Sequence, residues 1–188
     1  MEEEPDTAVV QMDSVEGKKG GAVLLTIHFV KAELMLAFYR EHNDARSVTN
    51  IFDVRYERLG KDDFMRIFPL LLADNGAEFS NPKAIEFTEE GERRTYVYYC
   101  DPNASQQKGS EESLNGIIKT EALYCRFGKT RVKEKRVPIS EILEAVTDFI
   151  SYYNNERPKA SNGGLSPVQF RLQNPKGTYL IPIDTKGI

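Results

Sequence analysis

The chain has 188 residues, 40% hydrophobic and 29% charged, with a formal net charge of −4, which suits one domain with a full core and a short appendage. No apolar run approaches the ~20 residues of a membrane span, and the acidic start Met1-Glu2-Glu3-Glu4-Pro5-Asp6 is the reverse of a secretory signal. The overall charge excludes nucleic-acid binding by net charge alone, and two isolated cysteines, Cys100 and Cys125, exclude a zinc or disulfide framework and point to a reducing, intracellular compartment.

The charge is unevenly spread. Residues 1–16 are acidic, whereas 126–136 carry Arg126, Lys129, Arg131, Lys133, Lys135 and Arg136 against Glu134 alone. A local basic segment of this kind can hold phosphates in an acidic protein.

In chain order, an acidic tail (1–7) gives way to a strand predicted over Ala8–Asp13. A turn over Glu16–Gly21 follows, then strands over Ala22–Phe29 and Leu34–Tyr39, with connections short enough for an antiparallel meander. Asp44 or Ser47 can cap a helix carrying Val48, Ile51, Phe52, Val54, Tyr56 and Leu59, which ends at Gly60. Leu71-Leu72-Ala73 reads as a buried strand that Asp74-Asn75-Gly76 breaks at once. A polar loop runs through Asn81-Pro82 and Gly91 to a fifth strand, Thr95–Cys100. Beyond the polar loop Asp101–Gly109, Glu112–Tyr124 has helical spacing. Ser140 is expected to cap a last helix bearing Ile142, Leu143, Val146, Phe149, Ile150 and Tyr153, and the Pro-, Gly- and Asn-rich stretch from Asn154 is expected to be irregular.

This order predicts an α/β chain of ribonuclease H-like fold, a mixed five-stranded sheet flanked by helices, with its domain over 8–172 and an irregular tail over 173–188. In that architecture the first and fourth strands are neighbours, which brings Asp13 beside the end of the Asp74 strand. Two strand-borne carboxylates joined by a helix-borne one, Glu112, make an oxygen cage suited to hard divalent cations. Two such ions can serve in-line phosphoryl displacement without a protein nucleophile. The two histidines, His28 and His42, form no evident Ser–His or Cys–His pair. Taken singly, each acid also has an ordinary reading: Asp74 as a turn residue, Asp13 as a strand-edge acid and Glu112 as a helix-start charge.

The flanking residues carry a resemblance. Asp13-Ser14-Val15-Glu16-Gly17-Lys18-Lys19-Gly20 with Val23-Leu24-Leu25-Thr26, Asp74-Asn75-Gly76-Ala77-Glu78-Phe79, and Gln107-Lys108-Gly109-Ser110-Glu111-Glu112 resemble the three acid motifs of the integrase-core domain of bacterial DDE insertion-sequence transposases. The front is similar to insertion-sequence family thirty. The back, Glu112–Glu121, Tyr152–Pro158 and Gly164–Phe170, is similar to insertion-sequence family three.

The resemblance implies that Asp13, Asp74 and Glu112 are catalytic and bind two Mg²⁺ ions, with Mn²⁺ as a substitute. It implies phosphodiester hydrolysis at an element's end, followed by attack of the freed 3′-hydroxyl on target DNA. Lys108, Asn115 and Lys119 fall near or on the face of Glu112 and are expected at the DNA, as are Lys129, Arg131 and Lys133 of the basic segment. Asn75, Gly76 and Glu78 are expected to support the site, Gly76 through a positive backbone angle or a close approach. The expected partners are transposon-end and target DNA and further copies of the chain, in the bacterial cytoplasm at the nucleoid and away from membranes. End recognition would fall to a separate N-terminal DNA-binding region that this sequence lacks. Two rival readings share these residues: a ribonuclease H-like nuclease without strand transfer, and a non-catalytic, transposase-derived DNA-binding or assembly protein.

Overall fold

A computed structural model describes residues 8–16, 22–101, 114–134 and 136–174. Residues 1–7, 17–21, 102–113 (with Lys108, Glu111 and Glu112), 135 and 175–188 lie outside the described residues.

Strands β1 (Val9–Glu16), β2 (Val23–Phe29) and β3 (Leu34–Arg40) form the predicted meander. Helix α1 (Ala45–Leu59) starts where the Asp44 carboxylate accepts the Ser47 N–H and stops at Gly60, whose φ of 74° no β-carbon has to oppose. Helix α2 (Lys61–Ile67), strand β4 (Leu70–Ala73), helix α3 (Pro82–Glu86) and strand β5 (Val97–Tyr99) follow. Helix α4 is described from Leu114 onward and passes through a π-helical stretch, Ile118–Tyr124, before ending as Cys125–Phe127. The remaining helices are α5 (Lys129–Lys133), α6 (Ile139–Asn155) and α7 (Pro167–Gln173).

The sheet order is β3-β2-β1-β4-β5. Strand β1 runs antiparallel to β2 and parallel to β4, and β4 runs parallel to β5. The expected adjacency of the first and fourth strands is therefore present. Alternation along β1 divides its side chains between two helical layers. Val10 and Met12 join the core formed with Val48 and Phe52 of α1, Phe64 and Ile67 of α2 and Ile85 of α3. Val15 joins the opposite core, formed with Ile118 and Ala122 of α4 and Val146, Phe149 and Tyr153 of α6. Asp13 shares the parity of Val15 and so belongs to the α4–α6 face.

Several local expectations give way. The chain past Gly60 is helical, and part of the loop expected after Asp74 is α3, started by Asn81 accepting the Ala84 N–H with proline in the first turn. Helix α6 starts at Ile139 with Pro138 at its cap, so Ser140 lies inside the first turn and caps nothing. Proline fixes the backbone for helix entry, and the Pro138 carbonyl accepts the Ile142 N–H. The stretch expected to be irregular contains α7, held by a reciprocal capping box between Ser166 and Gln169.

The Tyr152–Pro158 motif fastens this carboxy-terminal region to the sheet. Strand β3 is an edge, and the Asn154 amide covers it: Asn154 Oδ1 accepts the Met35 N–H at 3.0 Å and Asn154 Nδ2 donates to the Met35 carbonyl at 2.7 Å. Arg157 forms a fork with Glu121 of α4, and Tyr153 is fully buried beneath the Lys159 ammonium. Asn154→Leu would leave both Met35 groups buried without partners. It is expected to cost about 3 kcal/mol, read as a lowered urea midpoint with an unchanged slope.

His28 is 3% exposed, and neither ring nitrogen has a hydrogen-bond partner among the described residues. Burial pushes its pKa down to about 4, with Glu33 opposing the shift and Lys159 adding to it. The unfolded chain binds a proton near pH 6.5 that the folded chain refuses. Stability is therefore full above that pH and falls as the pH drops toward 4. His28→Leu is expected to remove about 3 kcal/mol of this pH dependence, measured by denaturant titrations at pH 7, 5.5 and 4.

Candidate active site

Asp13 is held from two sides. Asn115 of α4 donates to Asp13 Oδ2 at 2.7 Å, and the Ser14 N–H donates to Oδ1 at 2.8 Å. Thr26, the register partner of Asp13 on β2, donates to the Asn115 side-chain oxygen at 3.0 Å. The amide of Asn115, 8% exposed, thus ties the first described turn of α4 to β1 and β2. Asn115, expected at the DNA, is turned inward and is occupied with Asp13.

Strand β4 brings up the second acid. Its ladder with β1 ends at the pair Gln11–Leu72, and Asp13 and Asp74 each follow two residues beyond that pair. Side chains level on neighbouring strands project to the same face. Past β4 the chain is pinned to β5, because Asn75 Nδ2 donates to the Cys100 carbonyl at 3.2 Å and the Tyr99 hydroxyl donates to the Phe79 carbonyl. The Asp74 carboxylate accepts the Gly76 N–H at 2.9 Å.

Gly76 has a φ of −63°, so of its two expected uses the close approach is the one present. A β-carbon there would lie 2.5 Å from Glu78 Oε2 and 2.9 Å from Asp74 Oδ1. The space beside Gly76 thus belongs to two carboxylates.

A cation nobody would single out from the sequence faces this acidic end. Arg40, at the end of β3, is 3% exposed. It donates to Ser14 Oγ at 2.6 Å, Asn43 Oδ1 at 2.9 Å and Ser47 Oγ at 3.1 Å. Burial lowers its pKa, while the nearby charges of Glu78, Asp44 and Glu16 pull it back up. Arg40 therefore locks the residue after Asp13 to the start of α1 and places a fixed positive charge beside Glu78. Thr26 left a faint signal, a hydroxyl inside an otherwise apolar run. Arg40 left none, since a basic residue before a polar turn is commonplace.

The basic segment sorts itself by pairing. Arg126 is engaged by Glu144 and Asp148, and Arg136 by Glu134. Lys129, Arg131 and Lys133 on α5 are exposed and hold no ion pair among the described residues. Lys119, one turn beyond Asn115, borders a cavity together with Val15 and Glu16. Among the described residues no three His, Cys, Asp or Glu side chains form a group able to hold a metal ion, and Glu112 lies outside them.

Residues 112–174 match the family described as integrase core domain. The catalytic core domain of BIV integrase superposes with a TM-score of 0.59 at 18% identity, covering 89% of this chain and 95% of that one. The HTLV-2 integrase catalytic core domain, solved in complex with magnesium, gives 0.57 at 16% identity over 86% and 94%. A simian T-cell lymphotropic virus intasome gives 0.60 at 15% identity, over 93% of this chain and 56% of that one. The fold is that of retroviral integrase catalytic cores, ribonuclease H-like.

In sequence, the chain is 28% identical over 132 residues to the "Probable transposase for insertion sequence element IS1353" of Shigella flexneri, a distant similarity covering 68% of this chain and 23% of that protein. The chain thus spans about a quarter of that relative's length. No described helix is long and apolar enough to cross a membrane.

Asn115→Asp tests the clamp. It would set a second carboxylate against Asp13, and the repulsion disfavours ionising either acid. The variant is expected to lose about 2 kcal/mol at pH 7, a deficit that shrinks as the pH falls and one acid takes up a proton. A deficit independent of pH, in parallel melts of both proteins, would mean that the contact does not form.

Proposed function

We propose that this domain is the catalytic core of a DNA transposase that hydrolyses a phosphodiester at a transposon end and joins the freed 3′-hydroxyl to target DNA. The observation that carries the reading is the Asn115–Asp13 bond, because it docks α4 onto the strand beside the one that leads to Asp74. Glu112 precedes Asn115 by three residues in the sequence. The relatives lend support: an integrase-core match that begins at residue 112, an insertion-sequence transposase at low identity, and a shared fold with integrase cores, one of them solved with magnesium.

The donor set fits a hard cation. Asp13 and Asp74 are partly exposed carboxylates anchored by neighbouring N–H groups, Ser14 and Gly76 respectively. Asp13, Asp74 and Glu112 would hold two Mg²⁺ ions, or Mn²⁺ in their place. Bound there, such ions supply Lewis-acid activation of water and neutralise charge on the scissile phosphate.

The chain's own residues do the rest. Asn115 and the Ser14 N–H fix Asp13, so its carboxylate needs no reorientation before reaction. Asn75 and Gly76 fix the loop that bears Asp74. Glu78, balanced by Arg40, supports the site from behind. Lys119 neutralises a phosphate of the bound end, and Lys129, Arg131 and Lys133 track the backbone without reading bases. Lys108 is assigned to the same DNA from its place before Glu112. The DNA complex would contain several copies of the chain, since two ends must be joined in concert.

Asp13→Asn, Asp74→Asn and Glu112→Gln are each expected to lower cleavage and strand transfer by at least about a thousandfold while leaving the far-ultraviolet circular dichroism unchanged. Labelled transposon-end DNA incubated with Mg²⁺ and target plasmid reads both steps. Full activity in any variant removes that acid from the mechanism, and cleaved but never joined DNA in the wild type makes the protein a nuclease instead.

A further inference from the structure

A cavity of about 450 Å³ opens directly beside the candidate site, within the range of about 300–1,000 Å³ typical of ligand sites. Its sheet wall includes Val15 and Tyr39, its α4 wall includes Lys119 and Tyr124, and α5 contributes Val132 and Lys133. Position follows from two periodicities. Val15 stands two residues after Asp13 on the same face of β1, about 7 Å away. Lys119 stands four residues after Asn115, about 6 Å further along α4. The cavity is thus the next station along the surface that holds Asp13.

We infer that this cavity receives one unpaired nucleotide of the bound DNA, its base between Tyr39, Tyr124 and the apolar walls and its phosphate on Lys119 and Lys133. The inference rests on the reading proposed above and specifies the form of DNA that the site accepts. Three features select this occupant. The walls are mainly apolar with two aromatic rings, which favour the π-face of any base. The charged lining is two lysines against one acid, Glu16, whose Oε1 already accepts from Asn43 at 2.7 Å, so the opening favours an anion. Lys133 also shares one face of α5 with the exposed Lys129, one turn away, which gives a neighbouring phosphate a second cation. Stacking on these rings needs a base face that the duplex keeps covered, so the nucleotide must leave the stack to enter.

The test uses the 188-residue chain and two labelled duplexes of the same sequence, one blunt and one ending in a single unpaired 2-aminopurine nucleotide. The unpaired end is expected to bind about tenfold more tightly, in keeping with one stacked base, and its 2-aminopurine emission should be quenched on binding. Val132→Trp fills the cavity and should abolish the preference while blunt-end affinity stays within about twofold. Val132→Ala should retain the preference. In the unmodified protein, 5-iododeoxyuridine at the unpaired position should crosslink to Tyr39 or Tyr124, identified by mass spectrometry, so the result does not depend on Val132→Trp folding. Equal affinity of the wild type for both ends, a preference that survives in a folded Val132→Trp, or crosslinks confined to other residues would each overturn the assignment. Failure to bind the blunt duplex at all would instead overturn the DNA reading on which it rests.

Discussion

One buried amide organises this molecule. Asn115 bonds at once to Asp13 on β1 and to Thr26 on β2, so α4 is fixed against the centre of the sheet by polar contacts as well as by apolar packing. A buried amide is costly unless its groups are satisfied, which makes the contact selective for register. Sliding α4 by one residue would leave an amide, a hydroxyl and a carboxylate unmatched, whereas Ile118, Ala122 and Leu123 could find other apolar neighbours. The apolar face of α4 holds the helix down, and the amide sets its phase.

The charge distribution around Asp74 follows a similar economy. Asp74 and Glu78 share the space left by the missing side chain of Gly76, an arrangement that repels itself unless a cation is near. Arg40 supplies one from within the fold. Its hydrogen bonds run to Ser14, Asn43 and Ser47, so the charge that offsets Glu78 is fixed to the scaffold. Arginine suits this position because its planar fork can satisfy several acceptors while staying ionised when buried.

The parts of the fold legible in the sequence were those with long, clean periodicity. The three-strand meander, α1 with its Asp44 cap and the apolar stripe of α6 all followed from alternation or helical spacing. The adjacency of the first and fourth strands followed instead from the order of the elements. The short elements were hidden. Helix α3 carries its signal in Asn81-Pro82 and α7 in Ser166-Pro167-Val168-Gln169, but both lie in stretches rich in turn-forming residues, where a single helical turn does not stand out. Helix α2 was hidden by Gly60, which ends one helix and begins the next. The contacts that refine the site, Asn115 to Asp13 and Arg40 to Ser14, span 102 and 26 positions. No local pattern reports partners that only the assembled sheet brings together.

The π-helical stretch of α4 has its own consequence. Over Ile118–Tyr124 the backbone closes one residue later than in an α-helix, as in the bond from Cys125 N–H to the Thr120 carbonyl, so side chains five apart, such as Lys119 and Tyr124, come onto one side. Removing one residue there and restoring ordinary winding would turn everything downstream by about 100°. Cys125–Phe127 and the basic row of α5 would swing away from the acids while Asn115 stayed in place. The widened turn thus works as an angular spacer, aligning a lysine-rich surface with carboxylates borne on a different layer of the fold.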